Sequence, residues 1–574
     1  MARGLSFLPS YMKRLRWQIL VVFVTLAVVA VLLVGQQPLG NVPLLPQPTS
    51  GGVYTEALVG SMGRLNPLLD WNNPADRDID RLLFSGLMRF DSHGLPQADL
   101  AESWGTSADG TIYNFTIRPN AVWQDGVPVT SDDVIFTIDL IKSAGSLFPQ
   151  DIKDLWAEIE VKRLNDKNLK LTLPEPYAPF LDYVTFGVLP RHLLESVPPE
   201  QLSTADFNLK PVGTGPYKFD HLIVEGGQIQ GVVLMVNEDY YLPKPFIPQV
   251  VFRYYPDSAS ALDAYKQGEV LGVSQITAQV LQEALADPTL SVYTSRLPQL
   301  SLVFLNLNNP AVPFLQNAKV RRALMTGLNR NAIVSNFLGG QAIVADGPIL
   351  PGSWAYYEGM EHIEYDPDIA ASQLKAEGYV LPAAGGDVRE KDGQALAFTL
   401  VHPDDALHTQ IAQMIQSNWA LIGVRVDLQA VTYDSLIADY LAPRTYQAAL
   451  VDLTMARTPD PDPYPFWQQA EATGGQNYSQ WDNRTASEYL ENARTMADFT
   501  DRARLYRNFQ VIFAKELPSL PLYYPVYSYG VDSQVQGVQV APLYDTSDRL
   551  SFISEWYLVT RRSLEGTPSP TAAP

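Results

Sequence analysis

Five consecutive segments between Ala395 and Leu453 constrain this chain more than any other feature. "ALAFTLVH" reads as a strand, "DALHTQIAQMIQSNWALIG" as a helix, "VRVDLQAV" as a strand, "YDSLIADYL" as a helix and "YQAALVDL" as a strand. Strands that alternate with helices at this spacing predict parallel pairing with right-handed crossovers, hence an α/β sheet. Open parallel sheets place ligands outside the carboxyl ends of their strands. The stretch "MARTPDPDPYPFWQQ", Met455 to Gln469, directly follows the strand that ends near Leu453, so it is expected at that rim. His402 and Asp404 follow the strand ending near Val401 and are expected on the same edge. Proline fixes φ and removes the amide donor, so the stretch is neither regular helix nor central strand. It is either a rigid wall for a ligand or only a chain reversal.

A chain of 574 residues exceeds one core and predicts two or more domains. No internal repeat is visible between Val53 and Leu558, and strand-like and helix-like patterns mix throughout. The formal net charge of -21, from 62 acidic and 41 basic residues, argues against nucleic-acid binding. Cysteine is absent, which removes disulfides, cysteine-ligated zinc, thiol nucleophiles and a lipid-modified N-terminal cysteine.

Arg3, Lys13, Arg14 and Arg16 precede an apolar run from Ile19 to Val34 in which Thr25 is the one polar residue. Positive-inside logic keeps the start cytoplasmic and exports the rest. No small-x-small cleavage site follows, so residues 1–34 read as an uncleaved signal anchor. Residues 35–52 read as a tether, and "SLEGTPSPTAAP" (563–574) as a disordered tail.

"TIYNFTIRPNAVWQDG" is a hairpin-like edge, and Thr130, with Asp133 three residues on, caps the helix that follows it. "LSLVFLNLNNP" is a buried-strand candidate, and "NAKVRRALMTGLNRNAIVSNFLGG" reads as two helical pieces. "PVGTGPYKF" lacks the Lys-Ser/Thr of a P-loop and reads as a turn into a strand. "WQDGVPVTSDD" lacks the alternating ligands and distal Glu of a calcium loop. Arg321 and Arg322 read as solvent or lobe-packing contacts. His402 and His408 are six apart, not the i,i+4 spacing of a helical metal site, so no metal and no cofactor is expected.

Several longer stretches occur in a telling order: "LNPLLD", "LLFSGLMRFD", "PQADLAESWGTSADGTIYNFTIRPNAVWQDGVPVTSDDVIFTI", "PVGTGPYKF", "AKVRRALMTGLNR" and "PSLPLYY". Together they resemble the extracytoplasmic solute-binding proteins of peptide/nickel-type ATP-binding-cassette importers, over nearly everything from Val53 to Leu558. The resemblance implies a large, type II, two-lobed periplasmic-binding-protein-like fold. It places lobe I at 53–296 with an extra subdomain at about 84–212, lobe II at 297–517, and the return to lobe I at 518–562. It implies a monomeric receptor on the extracytoplasmic face of the membrane that closes on a peptide-like solute and delivers it to an ABC permease and its ATPase subunits. An oligosaccharide, an acidic solute or a metal chelate stays open as cargo. So does a non-transporting sensor or chaperone on the same fold. An extracellular hydrolase using Asp460 and Asp462 is the remaining alternative, although no nucleophile or metal accompanies that pair.

Candidate ligand contacts are Arg457, Thr454, Tyr464, Trp467, Tyr478, Trp481 and His402, with the rings as apolar cleft walls. In peptide-binding members of the family that the chain resembles, an aspartate three residues before an acidic-Pro pair takes the ligand's α-amino group. Aligned on Asp460-Pro461, that position is Arg457. A guanidinium there is expected to repel an ammonium and to favour an acidic, blocked, sugar-like or chelated cargo. The alternative is that Arg457 pairs internally with Asp452, Asp460 or Asp462 and braces the loop.

Overall fold

The computed structural model describes residues 17, 20–29, 45–143, 149–539 and 541–563. It falls into two compact units, residues 50–558 and the two ends of the chain, 1–49 with 559–574. In the smaller unit, Leu45–Thr49 pairs antiparallel with Val559–Ser563. This corrects the reading of residues 35–52 as a tether throughout. Pro46 and Pro48 are two apart and therefore share one edge of the strand, where missing N–H donors are tolerated. Residues 20–29 are helical, and no helix among the described residues is long and apolar enough to cross a membrane. The rest of the apolar run, and the tail beyond Ser563, lie outside the described residues.

The larger unit is organised by one 12-stranded sheet. At one end Ala397–Pro403 pairs in parallel with both Arg425–Val431 and Ala448–Thr454, as the alternating segments predict. Between them runs the helix Ala406–Leu421, capped by Asp405, whose carboxylate accepts the His408 N–H. The second crossover is a helical turn, Tyr433–Ser435, continued as a π-helix over Leu436–Leu441. Gln299–Leu305 comes next and is buried on both faces: Val303 and Leu305 enter one apolar cluster, while Leu300, Leu302 and Phe304 enter another. Double burial is why this strand reads as a continuous apolar run.

The chain passes between the two ends of the sheet along two neighbouring segments. Leu290–Arg296 and Gln299–Leu305 form one, and the 14-residue strand Ser519–Asp532 pairs antiparallel with both. Between the two pairings, Leu297 donates its N–H to Pro525 (2.8 Å). Pro521 and Pro525 carry no N–H, and the ladder shifts register between Ser301 and Leu302, so the pairing is weakest at the crossing. Beyond it lie Gly272–Val273, Val53–Val59, Gln249–Tyr255, Gln228–Val236 and Tyr217–Glu225.

A separate four-stranded antiparallel sheet, in the order Ala101–Thr106, Ile112–Ile117, Asn168–Thr172 and Glu160–Asn165, falls within residues 84–212. The helix Ser131–Ser143 starts where expected, with one half of the capping box formed: the Asp133 carboxylate accepts the Thr130 N–H (2.8 Å), and also its hydroxyl (3.1 Å), which therefore donates instead of capping. Ala318–Thr326 and Arg330–Phe337 are the two helical pieces. Arg321 is buried rather than solvent-facing, donating to the carbonyls of Leu315, Gln316, Glu516 and Leu517, whereas Arg322 pairs with Glu361.

"PVGTGPYKF" proves to be a seam against the helix Pro74–Leu83. Gly215 donates to the Leu83 carbonyl (2.8 Å), Gly213 exchanges hydrogen bonds with Gln124, and a Cβ built on Gly213 would lie 1.9 Å from the Leu83 oxygen. Gly213→Ala is therefore expected to lower stability by about 1–3 kcal/mol or more in urea unfolding, because the obstructing atom is backbone. Gly105→Ala, which meets nothing within 4 Å, should stay within about 0.5 kcal/mol of the parent. Equal effects would show that the close approach is not what the glycine provides.

Candidate functional site

The loop after Ala448–Thr454 emerges at the crossing: Met455 donates its N–H to Pro298 (2.7 Å). Two residues on, Arg457 adopts a left-handed backbone with φ of 65°. Its N–H bonds the Tyr544 carbonyl (2.7 Å), which turns its side chain toward residues from the other end of the sheet. There Nη2 donates to Asp70 Oδ1 (2.9 Å), Nε lies 3.7 Å from Asp545 Oδ2, and the guanidinium carbon stands 3.9 Å from the centre of the Trp71 ring.

This setting is also held by contacts that do not involve Arg457. Arg77, on the helix Pro74–Leu83, pairs through Nε with Asp545 (2.8 Å) and donates through Nη1 to the carbonyls of Asp70 (2.9 Å) and Trp71 (3.1 Å). Asp545 closes a capping box with Asp548 at the start of Thr546–Leu550. Burial raises the Asp545 carboxyl, but Arg77 and then Arg457 outweigh it and hold it below the usual range. Asp70 is more deeply enclosed, and burial pushes it up to about 6 against the pull of Arg457 and Arg77.

The same helix is rich in buried acids. Asp78 is held with Glu56 by the fully buried Arg549, and burial pushes it up to about 6. Asp80 forms no ion pair among the described residues. Burial raises it well above the usual range, Asp70 and Asp76 add to that, and the Asn66 N–H and Arg457 offset it in part.

The remaining acids of the loop are committed to cations. Asp460 makes a bidentate pair with Arg502 (2.9 and 2.7 Å), and Asp462 pairs with Arg494 (2.9 Å). The Asp460 N–H donates to Asp182 Oδ2 (2.9 Å), whose carboxyl is pushed well up by burial and by Asp460. Arg494 lies over Tyr464 at 3.9 Å and near Tyr177 at 5.3 Å. The loop, and Arg494 on the helix Arg484–Thr495, thus meet Asp182 and Tyr177 of the segment that carries the four-stranded sheet.

The residues expected to bind fall into two groups. Arg457, Thr454 and Tyr464 lie at the crossing rim or on its loop, with Thr454 paired to Gln299. Tyr478, Trp481 and Trp467 are corrected. Tyr478 accepts at its carbonyl from the Tyr446 hydroxyl (2.6 Å), just before the strand Ala448–Thr454 begins. The strand's length separates it from Arg457 by roughly 20 Å. Trp467 (1% exposed) packs on Phe304 and Phe513, and Trp481 (3%) on Phe509 and Phe513, with its Nε1 donating to Glu516. Trp467 and Trp481 are core and the half-buried Tyr478 packs edge-on against Phe304, because the chain after the loop returns along the sheet to its far end.

His402 is at the rim but buried, its Nδ1 2.7 Å from the Pro403 carbonyl. Nearby His408 lies between Asp405 (2.6 Å) and Asp452 (3.2 Å), which raise its pKa against the opposing effect of burial. The internal partners of Arg457 are therefore Asp70 and Asp545, not Asp452, Asp460 or Asp462. Sequence reading missed Asp70, Trp71, Asp182, Tyr544 and Asp545. "LNPLLD" carried Asp70 only as a motif, and "YDTSDR" carried a capping box.

A carboxyl raised in the folded state binds protons that the unfolded chain releases. Its contribution is present below the unfolded pKa and is lost as pH rises through the folded value. Asp80→Asn removes that titration. The variant is expected to gain in unfolding free energy over the parent as pH goes from 4.5 to 8, by up to about 1.4 kcal/mol per pH unit while the folded acid stays protonated, read as a rising difference in urea unfolding. A difference that is flat with pH would refute the neutral buried acid.

The family model for bacterial extracellular solute-binding proteins, family 5 (middle), matches residues 96–476. The oligopeptide-binding protein AppA of Bacillus subtilis (strain 168) is 28% identical over 524 residues, covering 89% of this chain and 92% of that protein. The AppA structure in complex with a nonapeptide superposes with a TM-score of 0.63 at 26% identity, over 89% of this chain and 100% of that one. NikZ from Campylobacter jejuni, in complex with Ni(L-His), gives 0.63 at 28% identity, over 88% and 99%.

Proposed function

The chain belongs to family 5 of the bacterial extracellular solute-binding proteins, and on that premise we propose that it captures a peptide-like solute between two lobes and hands it to the permease of an ABC importer. The observation that carries the closing mechanism is the pair of crossings. Leu290–Leu305 and Ser519–Asp532 lie side by side, are weakest in pairing at Leu297–Pro298 and Pro525, and allow the two ends of the sheet to bend about one line. On this reading lobe I spans residues 53–296 and 518–562, and lobe II spans 297–517. The rim of lobe II, with Thr454, Arg457, Tyr464 and His402, then meets Asp70, Asp182 and Asp545 of lobe I.

Peptide-like cargo is supported by the similarity to the oligopeptide-binding AppA. A metal chelate is the second reading, favoured by the equal identity to NikZ, whose structure holds Ni(L-His). Asp460 and Asp462 are each engaged by an arginine, which leaves neither as the free acid or base that a hydrolase would use. The receptor is proposed to stay tethered through residues 1–34, since a basic start precedes an apolar run without a cleavage motif.

Native mass spectrometry of protein purified without denaturation is expected to retain a peptide mass, and the mass of a metal chelate would favour the second reading instead. That solute should reduce the radius of gyration in X-ray scattering. It should add about 2.7 kcal/mol of stability at a hundredfold excess over Kd, with Kd micromolar or tighter, about -8 kcal/mol. A scattering profile unmoved by a bound solute would sink lobe closure. N-terminal sequencing of the native protein should begin before residue 35, and a start between 35 and 52 would show that the anchor is removed.

A further inference from the structure

Arg457 has the position of an occupant rather than of a wall. Its guanidinium lies between two carboxylates and against an aromatic face, the three elements of a cation receptacle, and all three come from chain far from its own. The receptacle is held without it: Arg77 braces Asp545 and the carbonyls of Asp70 and Trp71, and the capping box fixes Asp545. Two guanidiniums thus face two carboxylates, and withdrawing Arg457 would leave the Asp70 carboxylate enclosed without a direct partner, since Arg77 reaches only its backbone carbonyl. Asp70 has only 7% of its side chain exposed, against 23% for Arg457, so the carboxylate is the buried partner and the arginine the one with a way out.

The loop also holds Arg457 under tension. A left-handed backbone at a non-glycine residue is unfavourable, and a free cation would fill the same place without it. No other acid of the loop waits for Arg457, because Asp460 and Asp462 are taken by Arg502 and Arg494.

We propose that Asp70, Trp71 and Asp545 form a cation-binding subsite, that Arg457 is its tethered occupant, and that a solute bearing a guanidinium or ammonium head enters by displacing it. This rests on the solute-receptor reading and reverses the expectation that Arg457 disfavours cationic cargo. Arg457 selects instead by competition: a cation gains the site only if it outbids the tethered one, and apparent affinity falls by the fraction of time the site is filled.

Agmatine serves as the cationic probe and succinate as the anionic control, compared on wild type, Arg457→Gln and Asp70→Asn by calorimetry. Arg457→Gln is expected to bind agmatine about tenfold tighter than wild type, Asp70→Asn to lose binding, and succinate to bind none of them. In wild type, agmatine should speed hydrogen exchange at the Arg457 amide, which needs no variant to fold. Unchanged agmatine affinity in Arg457→Gln, or succinate binding that vanishes with Arg457, would overturn the subsite, as would exchange that agmatine leaves unaltered. These readouts are separate from lobe closure. If the natural solute compacts wild type and Arg457→Gln alike while agmatine fails, only the subsite falls. If no solute alters scattering while agmatine competes, the receptor reading falls and the subsite stands.

Discussion

The long strand Ser519–Asp532 is the constraint on which the rest of the larger unit depends. Its first half pairs with Gln299–Leu305 and its second with Leu290–Arg296, so one backbone ladder belongs to both ends of the 12-stranded sheet. A shared strand forbids sliding, because sliding would break the register of every pair at once. Bending at the prolines and the register shift is what remains. Each loop that leaves the sheet at that line is brought to face chain from the other end, which is why Met455 to Asp462 meets Asp70, Asp182 and Tyr544.

Charge at this line is arranged by burial. The helix Pro74–Leu83 turns Asp76, Asp78 and Asp80 inward, a costly choice for a helix unless each acid is matched or neutral. Asp76 is matched by the N–H groups of Gly63 and Arg64, Asp78 by Arg549, and Asp80 has no cation of its own, so burial raises its carboxyl well above the usual range. Asp70 lies at the margin of this set, raised by burial yet paired to a cation from across the crossing. The site is therefore most adjustable where the scaffold's own pairing runs out. The relatives of this chain include proteins named for oligopeptides and for nickel, and a shared fold does not by itself fix which solute is bound.

Local pattern made several elements legible and hid others. The parallel trio Ala397–Pro403, Arg425–Val431 and Ala448–Thr454 follows from period and spacing alone, since a crossover helix leaves few ways to place the next strand. The helix at Ser131 was visible from Thr130 and Asp133, although the role of the Thr130 hydroxyl was not, because a hydroxyl can donate to the Asp133 carboxylate or accept from its N–H in that spacing. The rings Trp467, Tyr478 and Trp481 were misplaced because aromatic residues suit cores and clefts alike. Their pattern says that they pack against apolar neighbours, and the direction of the returning chain says where.

The sequence by itself determined the parallel α/β unit, the rim position of the proline-rich loop and membership of the family, because these rest on hydrophobic period, proline chemistry and ordered motifs. Only the tertiary structure decided what Arg457 touches. Asp70 lies 387 residues away and Asp545 beyond the second crossing, so no local spacing relates them. An ion pair is chosen by which surfaces the fold brings within a few ångströms and by how much water it removes, and neither quantity is written in neighbouring residues. The same holds for Asp80, whose carboxyl is raised by burial, then by Asp70 and Asp76, in a space that exists only once the helix has docked.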